Sequence, residues 1–218
     1  MPNFALITEG ITDQVLIETL LAAFYDEEPD VTEAQPLRDA TDESRQATYA
    51  GWENVLKYCA TDLFEQQFYT NHYVIIQIDT DVCGQKNFNI NLKNGNKDRP
   101  TADIISDVCS HIISYIGTPV FQKYRERIIF AISIHSLECW LLPLFGKTAV
   151  EQKRTRQCAK HLEEVLKRFD LTHEKDYEKY RILSAKYLEG KNVERARQNN
   201  SSLDFFLASL PADYSDRL

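Results

Sequence analysis

Residues 72–81 read HYVIIQIDTD, and this stretch decides the predicted fold. Positions 72–79 are almost continuously apolar, which is typical of a strand buried on both faces of a parallel sheet. The strand ends in Asp79-Thr80-Asp81, which places two carboxylates on alternate residues. Open parallel sheets bind ligands outside the carboxyl ends of their strands. This pair of acids therefore marks the edge of the sheet where a site is expected.

Further strands are predicted on either side of this stretch in the chain. Residues 3–8 form an apolar run before a helix predicted over 12–25, and residues 128–134 form another before a short helix with Ser136 as its N-cap. A weaker strand is predicted over 31–37. The other predictions for this part of the chain are helices within 49–68 and over 101–116, and loops over 39–46 and 83–100.

The region from residue 149 onward contains only helical patterns, over 149–169, 174–189 and 192–210. Before it, strands and helices alternate, which predicts an α/β fold with a mostly parallel sheet flanked by helices on both faces. We therefore expect an α/β domain over residues 1–148 and an all-helical C-terminal extension over residues 149–218 packed on it.

The charge of the chain limits its partners. The 218 residues carry a net charge of −8, and residues 1–148 hold 11 basic against 21 acidic side chains. An acidic protein binds nucleic acid poorly unless a local basic surface, bound cations or a partner supplies positive charge. Any nucleic-acid function must therefore use one of these three routes.

The apolar segments and the cysteines indicate a cytoplasmic protein. No stretch approaches the roughly 20 apolar residues that a membrane span needs, and the N-terminal residues do not resemble a secretion signal. The five cysteines are scattered without a CxxC pair, so we expect reduced thiols and no zinc site.

Acidic residues follow three of the predicted strands. Glu9 lies just past the first, Asp79 and Asp81 end the third, and Glu138 lies one turn into the helix after the fourth. Singly, each has an ordinary explanation as a turn or helix-start residue. Together they would repel, by roughly 4 kcal/mol for two carboxylates about 4 Å apart at an effective dielectric near 20. A divalent metal would relieve this repulsion, and oxygen-only ligation favours Mg²⁺ or Mn²⁺.

The same residues resemble a known fold family. The order strand, Glu9-Gly10-x-Thr12-Asp13, helix, then a strand ending in Asp79-x-Asp81 resembles the Toprim fold, a Rossmannoid α/β fold shared by type IA and II topoisomerases, bacterial primases and OLD-family nucleases.

Two further segments of the sequence resemble one particular group of Toprim-like proteins. The block SIHSLECWLLPLF, which carries Glu138, and the stretch over 183–210 resemble small Toprim-like proteins related to the OLD nucleases. Some of those proteins are encoded beside an ABC-type ATPase in phage-defence systems such as PARIS. One departure is Cys83, which stands where topoisomerases and primases usually have a third aspartate. This favours the OLD-type arrangement.

The resemblance implies a set of site residues. Glu9, Asp79 and Asp81 would bind metal, with Glu9 also a general acid or base, and Glu138 would complete a second metal site for two Mg²⁺ or Mn²⁺ ions. Asp13 would cap its helix or support the site. A lysine would neutralise charge that develops on the phosphate, and the candidates are Lys186 and, as the alternative, Lys191.

Two basic segments are candidates for contact with nucleic acid. The loop over 83–100 directly follows the DxD motif, and the second segment begins the extension. A charge run is commonly a solvated helix face, or it docks an acidic partner. The candidates are Lys86, Lys93, Lys97, Arg99, Lys153, Arg154 and Arg156, with Lys160 in the same run.

These observations predict a metal-dependent phosphodiesterase, a nuclease acting on DNA or RNA (tRNA included). The resemblance further implies an effector of phage defence that a partner ATPase controls, and the sequence leaves a homodimer open. Three alternatives remain: a haloacid-dehalogenase-like phosphatase with Asp79 as nucleophile, a non-catalytic partner module of an ATPase, and a primase-like nucleotidyl transferase. The last is disfavoured because zinc-binding and helicase-docking regions are lacking.

Overall fold

Four parallel strands form the central sheet. They are β1 (Asn3–Ile7), β2 (Asp30–Gln35), β3 (Tyr73–Asp79) and β6 (Ile128–Ser133), in the order β2-β1-β3-β6. The structure, a computed structural model, describes residues 2–37 and 51–212. The loop predicted over 39–46 lies outside the described residues. The predicted parallel α/β sheet is confirmed, and all seven residues of β3 are buried, as its apolar sequence requires.

Helices cover both faces of the sheet. They are α1 (Ile11–Tyr25), α2 (Trp52–Cys59), α3 (Asp62–Gln66), α4 (Thr101–Ile116), α5 (Thr118–Tyr124), α6 (Glu138–Phe145), α7 (Ala149–Gln152), α8 (Cys158–Leu166), α9 (Tyr177–Ser184), α10 (Asn192–Asn199) and α11 (Ser201–Ala208). A short antiparallel hairpin, β4 (Lys93–Asn94) and β5 (Lys97–Asp98), lies within the loop predicted over 83–100.

Three of the predicted helices are interrupted, because local backbone conformations end them early. The helix within 49–68 is divided into α2 and α3, and the helix over 149–169 is divided into α7 and α8, with Gln157 left-handed at φ 53°. The helix over 192–210 breaks at Asn200, which is extended and accepts a hydrogen bond from the main-chain nitrogen of Leu203 as an N-cap.

Two smaller predictions also need correction. Helix α5 was not predicted, because its seven residues are too few to establish a helical period; Gly117, at φ 83°, separates it from α4. Ser136 does not cap α6, whose N-cap position is Leu137 without a side-chain cap. The Ser136 side chain instead hydrogen-bonds to Glu138.

The strand residues alternate between two hydrophobic cores, one on each face of the sheet. In β1, Phe4 and Leu6 pack into the core formed with α1, α6 and the C-terminal helices, while Ala5 and Ile7 pack into the core formed with α2 and α4. Trp140 is fully buried and stacks on Phe206 at 5.6 Å between ring centroids. The described part of the C-terminal extension thus completes one face of the sheet.

No single helix among the described residues is long and apolar enough to cross a membrane. The pair Thr101–Ile116 and Thr118–Arg127 has sufficient length and apolar composition when taken together, but it bends by 111° at the break.

A disulfide bond corrects one prediction about the cysteines. Cys139 in α6 and Cys158 at the start of α8 are bonded, whereas Cys59, Cys83 and Cys109 are free thiols. The pair lies 19 residues apart without a recognisable motif, so it could not be identified from spacing. The bond ties the break between α7 and α8 to the helix that carries Glu138.

Reduction of this bond is expected to lower the free energy of unfolding by about 3 kcal/mol, because the cross-link removes conformational freedom from the unfolded chain. Urea denaturation of the wild-type protein with and without dithiothreitol measures the effect. A Cys139→Ser variant should lose the sensitivity to reductant, and Cys109→Ser should keep it. Identical wild-type midpoints under both conditions would contradict the expectation.

Candidate functional site

The two central strands place Glu9 and Asp79 together. In the sheet, β2 lies on one side of β1 and β3 lies on the other. The connections from β1 and from β2 therefore run in opposite directions, and the strand order reverses between β1 and β3. Such a switch point opens a crevice at the carboxyl ends of the strands. There the main-chain nitrogen of Asp79 donates to Glu9 Oε1 at 2.6 Å, and the main-chain nitrogen of Glu9 donates to Gln77 Oε1 at 3.0 Å.

Asp79 is held from three directions. Its Oδ1 accepts hydrogen bonds from Gln77 Nε2 at 2.8 Å and from Ser133 Oγ at 2.5 Å, while its Oδ2 lies 3.4 Å from the main-chain nitrogen of Leu137. Gln77 and Ser133 are fully buried polar residues in otherwise apolar strands. Their burial is explained by this carboxylate, because a buried polar group needs a hydrogen-bond partner.

Asp81 and Asp13 lie at the rim of the same crevice. Asp81 is exposed, and its main-chain nitrogen donates to the carbonyl of His135 at 2.9 Å, which joins the end of β3 to the loop after β6. Asp13 lies in the first turn of α1 and accepts a main-chain hydrogen bond from Gly10. Asp13 therefore bonds to the main chain at the start of its helix and also interacts with the charges of the other acids.

Burial, together with the proximity of these acids, raises their pKa values. Burial, with repulsion from Asp13 next, raises the pKa of Glu9 to about 8. Burial also raises the pKa of Asp13 to about 7, although Lys175 opposes the shift. Burial, followed by the charge of Glu9, raises the pKa of Asp79 well above its ordinary value. The crevice thus holds more negative charge than its cations balance, an environment that favours protons or a bound cation.

Glu138 has a different environment. Its Oε1 accepts a hydrogen bond from the Tyr180 hydroxyl at 2.7 Å and lies 3.5 Å from His173 Nε2 and 3.8 Å from Lys175 Nζ. Burial by itself would raise the pKa of Glu138. The hydrogen bond with His173 and the charge of Lys175 outweigh burial, with smaller contributions from Ser136 and Tyr180, so the pKa falls below its ordinary value. Glu138 therefore stays ionised at neutral pH.

Lys175, rather than Lys186, is the lysine whose charge acts on the acid cluster, which we define as Glu9, Asp13, Asp79, Asp81 and Glu138. Partial burial would lower the pKa of Lys175, but Glu138 and Asp13 raise it. The Lys186 ammonium is paired with both carboxylate oxygens of Glu189 at 3.0 Å on the surface, and Lys191 is exposed at the N-cap of α10. The prediction of Lys186 therefore lacks structural support.

Sequence reasoning missed Lys175, His173 and Tyr180. They lie between 35 and 42 positions beyond Glu138, and His173 and Lys175 stand in a loop that was assigned partly to a helix. The sequence carries no local pattern that relates them to the acids. Gln77, which bonds to Glu9 and Asp79, was missed as well, although a polar residue inside so apolar a strand is a usable signal.

The two basic segments lie side by side. Arg156 forms an ion pair with Asp98 of the hairpin, and both charges act on His135, next to the loop that holds Asp81. Lysines on both segments are exposed; they are Lys86, Lys93, Lys97, Lys153 and Lys160.

The arginines of these segments have structural partners. Arg99 donates to the carbonyl of Asn91 at 2.8 Å and to Asp107 at 2.6 Å, and Arg154 contacts His161 at 2.6 Å. These contacts fix the loop and the start of α8, so the exposed lysines are the better candidates for contact with an external anion.

The acids do not form a closed metal cage. Within residues 2–37 and 51–212, no group of three or more His, Cys, Asp or Glu side chains is arranged to hold a metal ion. One reason is that Glu9 directs Oε1 to the main chain of Asp79, while Glu138 directs Oε1 to Tyr180 and Lys175. The donor set, carboxylate oxygens with unrelieved repulsion, fits Mg²⁺ or Mn²⁺ chemically.

Comparisons of this chain with protein-family models, with curated proteins and with solved structures find no match.

The raised pKa values predict that stability falls as pH rises. Glu9 and Asp13 bind protons more tightly in the folded protein than in the unfolded chain, so the folded state holds more protons between about pH 5 and pH 8. The free energy of unfolding should fall over this range by at least about 1.4 kcal/mol, the equivalent of one pKa unit. Glu138, with its lowered pKa, acts in the opposite direction only in more acidic solution.

Urea denaturation at pH 5, 6.5 and 8 in the presence of a chelator measures this dependence. The Glu9→Gln variant should show a shallower slope, because glutamine does not titrate. A wild-type stability that stays flat or rises across the range would exclude the proposed repulsion among the acids.

Proposed function

We propose that this chain is a Toprim-like phosphodiesterase that depends on Mg²⁺ or Mn²⁺ and acts on nucleic acid. The observation that carries the proposal is the contact between Glu9 and Asp79 at the switch point between β1 and β3, with Asp13, Asp81 and Glu138 around it. Repulsion among carboxylates costs stability, and binding of a divalent cation by these groups accounts for keeping them together.

The residues present divide into distinct roles. Glu9, Asp79 and Asp81 would hold one ion, and Glu138 would contribute its second oxygen to another. When bound, the metal supplies Lewis-acid polarisation of the phosphodiester. Glu9 is also the candidate general acid or base of the cleavage step. Lys175 provides positive charge beside the acids, where negative charge on the phosphate would develop.

The surroundings of the crevice favour a nucleic-acid substrate over a small phosphoester. The hairpin and the segment around Arg156 carry exposed lysines, and the Arg156–Asp98 pair that joins them acts on His135, whose carbonyl accepts a hydrogen bond from the main chain of Asp81. Such lysines provide the local positive charge that an acidic protein needs to bind a phosphate backbone. Control by an ABC-type ATPase and a role in phage defence are proposals that rest on the sequence resemblance.

The phosphatase alternative fits less well. The aspartate motif of haloacid-dehalogenase-like phosphatases normally ends the first strand of the fold, whereas Asp79 ends β3. The phosphatase assignment would also give no task to Glu9, whose carboxylate accepts a hydrogen bond from the main-chain nitrogen of Asp79. The other alternative, a non-catalytic partner module of an ATPase, predicts that no substrate is cleaved. Cleavage assays distinguish it from the proposed phosphodiesterase.

Cleavage assays test the proposal. Labelled single-stranded DNA, double-stranded DNA, RNA and tRNA are incubated with the protein and Mn²⁺, with EDTA as the control. We expect metal-dependent cleavage of at least one of them, and weaker binding of that substrate by a Lys93→Ala/Lys97→Ala variant. A Lys57→Ala variant, which removes an exposed lysine from α2, is the matched control. Failure to cleave any of these substrates would favour the partner module.

A further inference from the structure

A groove with mixed apolar and acidic character lies between α1 and α9. Its volume is about 410 Å³, and its lining includes Val15, Ala22, Ile182 and Leu188. Ile182 is 50% exposed and Leu188 is 57% exposed, although both are large apolar residues. Exposed apolar residues gathered in one groove mark a surface for interaction.

The floor of the groove is held in place by packing and hydrogen bonding. Helices α1 and α9 pack together, and the hydroxyl groups of Thr19 and Ser184 are 2.9 Å apart across their contact. Helix α9 continues into the short 3₁₀ turn Ala185–Leu188, which ends the groove. The groove is therefore formed by ordered elements of the fold.

Acidic side chains predominate at one end of the groove. Glu28 and Pro29, in the turn between α1 and β2, belong to the lining. They lie within an acidic rim, which we define as Asp26, Glu27, Glu28 and Asp30. All four acids are exposed and, as far as residues 2–37 and 51–212 are concerned, form no ion pair. The basic residue of the lining, Arg181, is already paired with Glu178 at 2.9 Å.

We propose that this groove binds a cationic amphipathic helix of a protein partner. A helix that lays its apolar face between two helices is a common mode of peptide recognition. Leu188 and Ile182 would contact its apolar face, and lysines or arginines on its polar face would meet the acidic rim. The charge complementarity selects this occupant over an acidic or neutral segment.

The groove also adjoins the acid cluster through its own helices. Helix α1 carries Asp13 two residues before Val15, a residue of the groove lining, and α9 carries Tyr180, which donates to Glu138. A bound helix would thus contact both elements that support the site. The binding itself does not depend on the proposed metal chemistry.

Fluorescence anisotropy with a labelled helical Leu/Lys peptide tests the proposal on the full chain. We expect the wild-type protein to bind this peptide and not the Leu/Glu peptide of the same pattern. Leu188→Asp and Glu28→Lys should each weaken binding by at least about tenfold. The matched controls are Val150→Asp, an exposed apolar residue on α7, and Glu163→Lys, an exposed acid on α8; both should bind as wild type.

Three outcomes would overturn the proposal. The first is no binding of the Leu/Lys peptide by the wild type. The second is equal weakening in groove and control variants, which would indicate attraction by the overall negative charge. The third is a wild-type dimer in analytical ultracentrifugation that Leu188→Asp dissociates, which would make a second copy of the chain the occupant.

Discussion

The Asp79→Asn variant is expected to lose metal-dependent cleavage, with a rate at least about 10²–10³-fold below that of the wild type. Asparagine has nearly the same shape, and its carbonyl oxygen can still accept the hydrogen bonds from Gln77 and Ser133. It lacks the negative charge that would hold the cation. The variant should therefore fold while losing the chemistry, which steady-state cleavage with Mn²⁺ measures.

Stability provides the internal control for this variant. Because burial and the charge of Glu9 raise the pKa of Asp79, removing its charge should not lower the free energy of unfolding near neutral pH. Asp103→Asn, which changes an exposed aspartate in the first turn of α4, should leave cleavage unchanged. Full cleavage activity in Asp79→Asn would show that the charge of this aspartate is not needed for catalysis.

The second large effect is expected for Lys175→Met. Lys175 lies 3.8 Å from Glu138, and its charge acts on Asp13, Asp79 and Asp81. Its loss should slow the cleavage step by about 10²-fold, because charge that develops on the phosphate would lose an electrostatic partner. The pKa values of Glu9 and Asp13 should rise further. Rates measured from pH 6 to pH 9 record both changes.

Lys186→Met is the matched variant for Lys175→Met. It removes the lysine that the sequence resemblance indicated, which the structure pairs with Glu189 on the surface. Its rates should equal those of the wild type at every pH. A loss in Lys186→Met together with normal rates in Lys175→Met would reverse the assignment of the two lysines.

The sheet and its acids could be predicted because their signals are local. The apolar run at 72–79 specifies a buried strand, and Glu9, Asp79 and Asp81 directly follow strands, so a parallel sheet places them at one edge. Each of these inferences needs only the strand boundaries and the parallel direction.

The surroundings of the acids could not be predicted, because they depend on contacts between distant segments. Tyr180 and Lys175 reach Glu138 only when α9 packs on α1 across the sheet face. The bond between Cys139 and Cys158 and the ion pair between Arg156 and Asp98 depend on tertiary packing in the same way. The breaks at Gln157 and Asn200 arise from single backbone conformations that a helical periodicity does not reveal.

Calorimetric titration of Mn²⁺ into the wild-type protein, Glu9→Gln and Asp79→Asn tests the central claim most directly, because it requires neither the substrate nor a partner. We predict binding by the wild type near pH 8, release of protons on binding as the raised carboxyl pKa values fall, and loss of binding in both variants. Binding that survives in Glu9→Gln would mean that the two carboxylates do not share a cation. Absence of binding by the wild-type protein would contradict the proposed metal site.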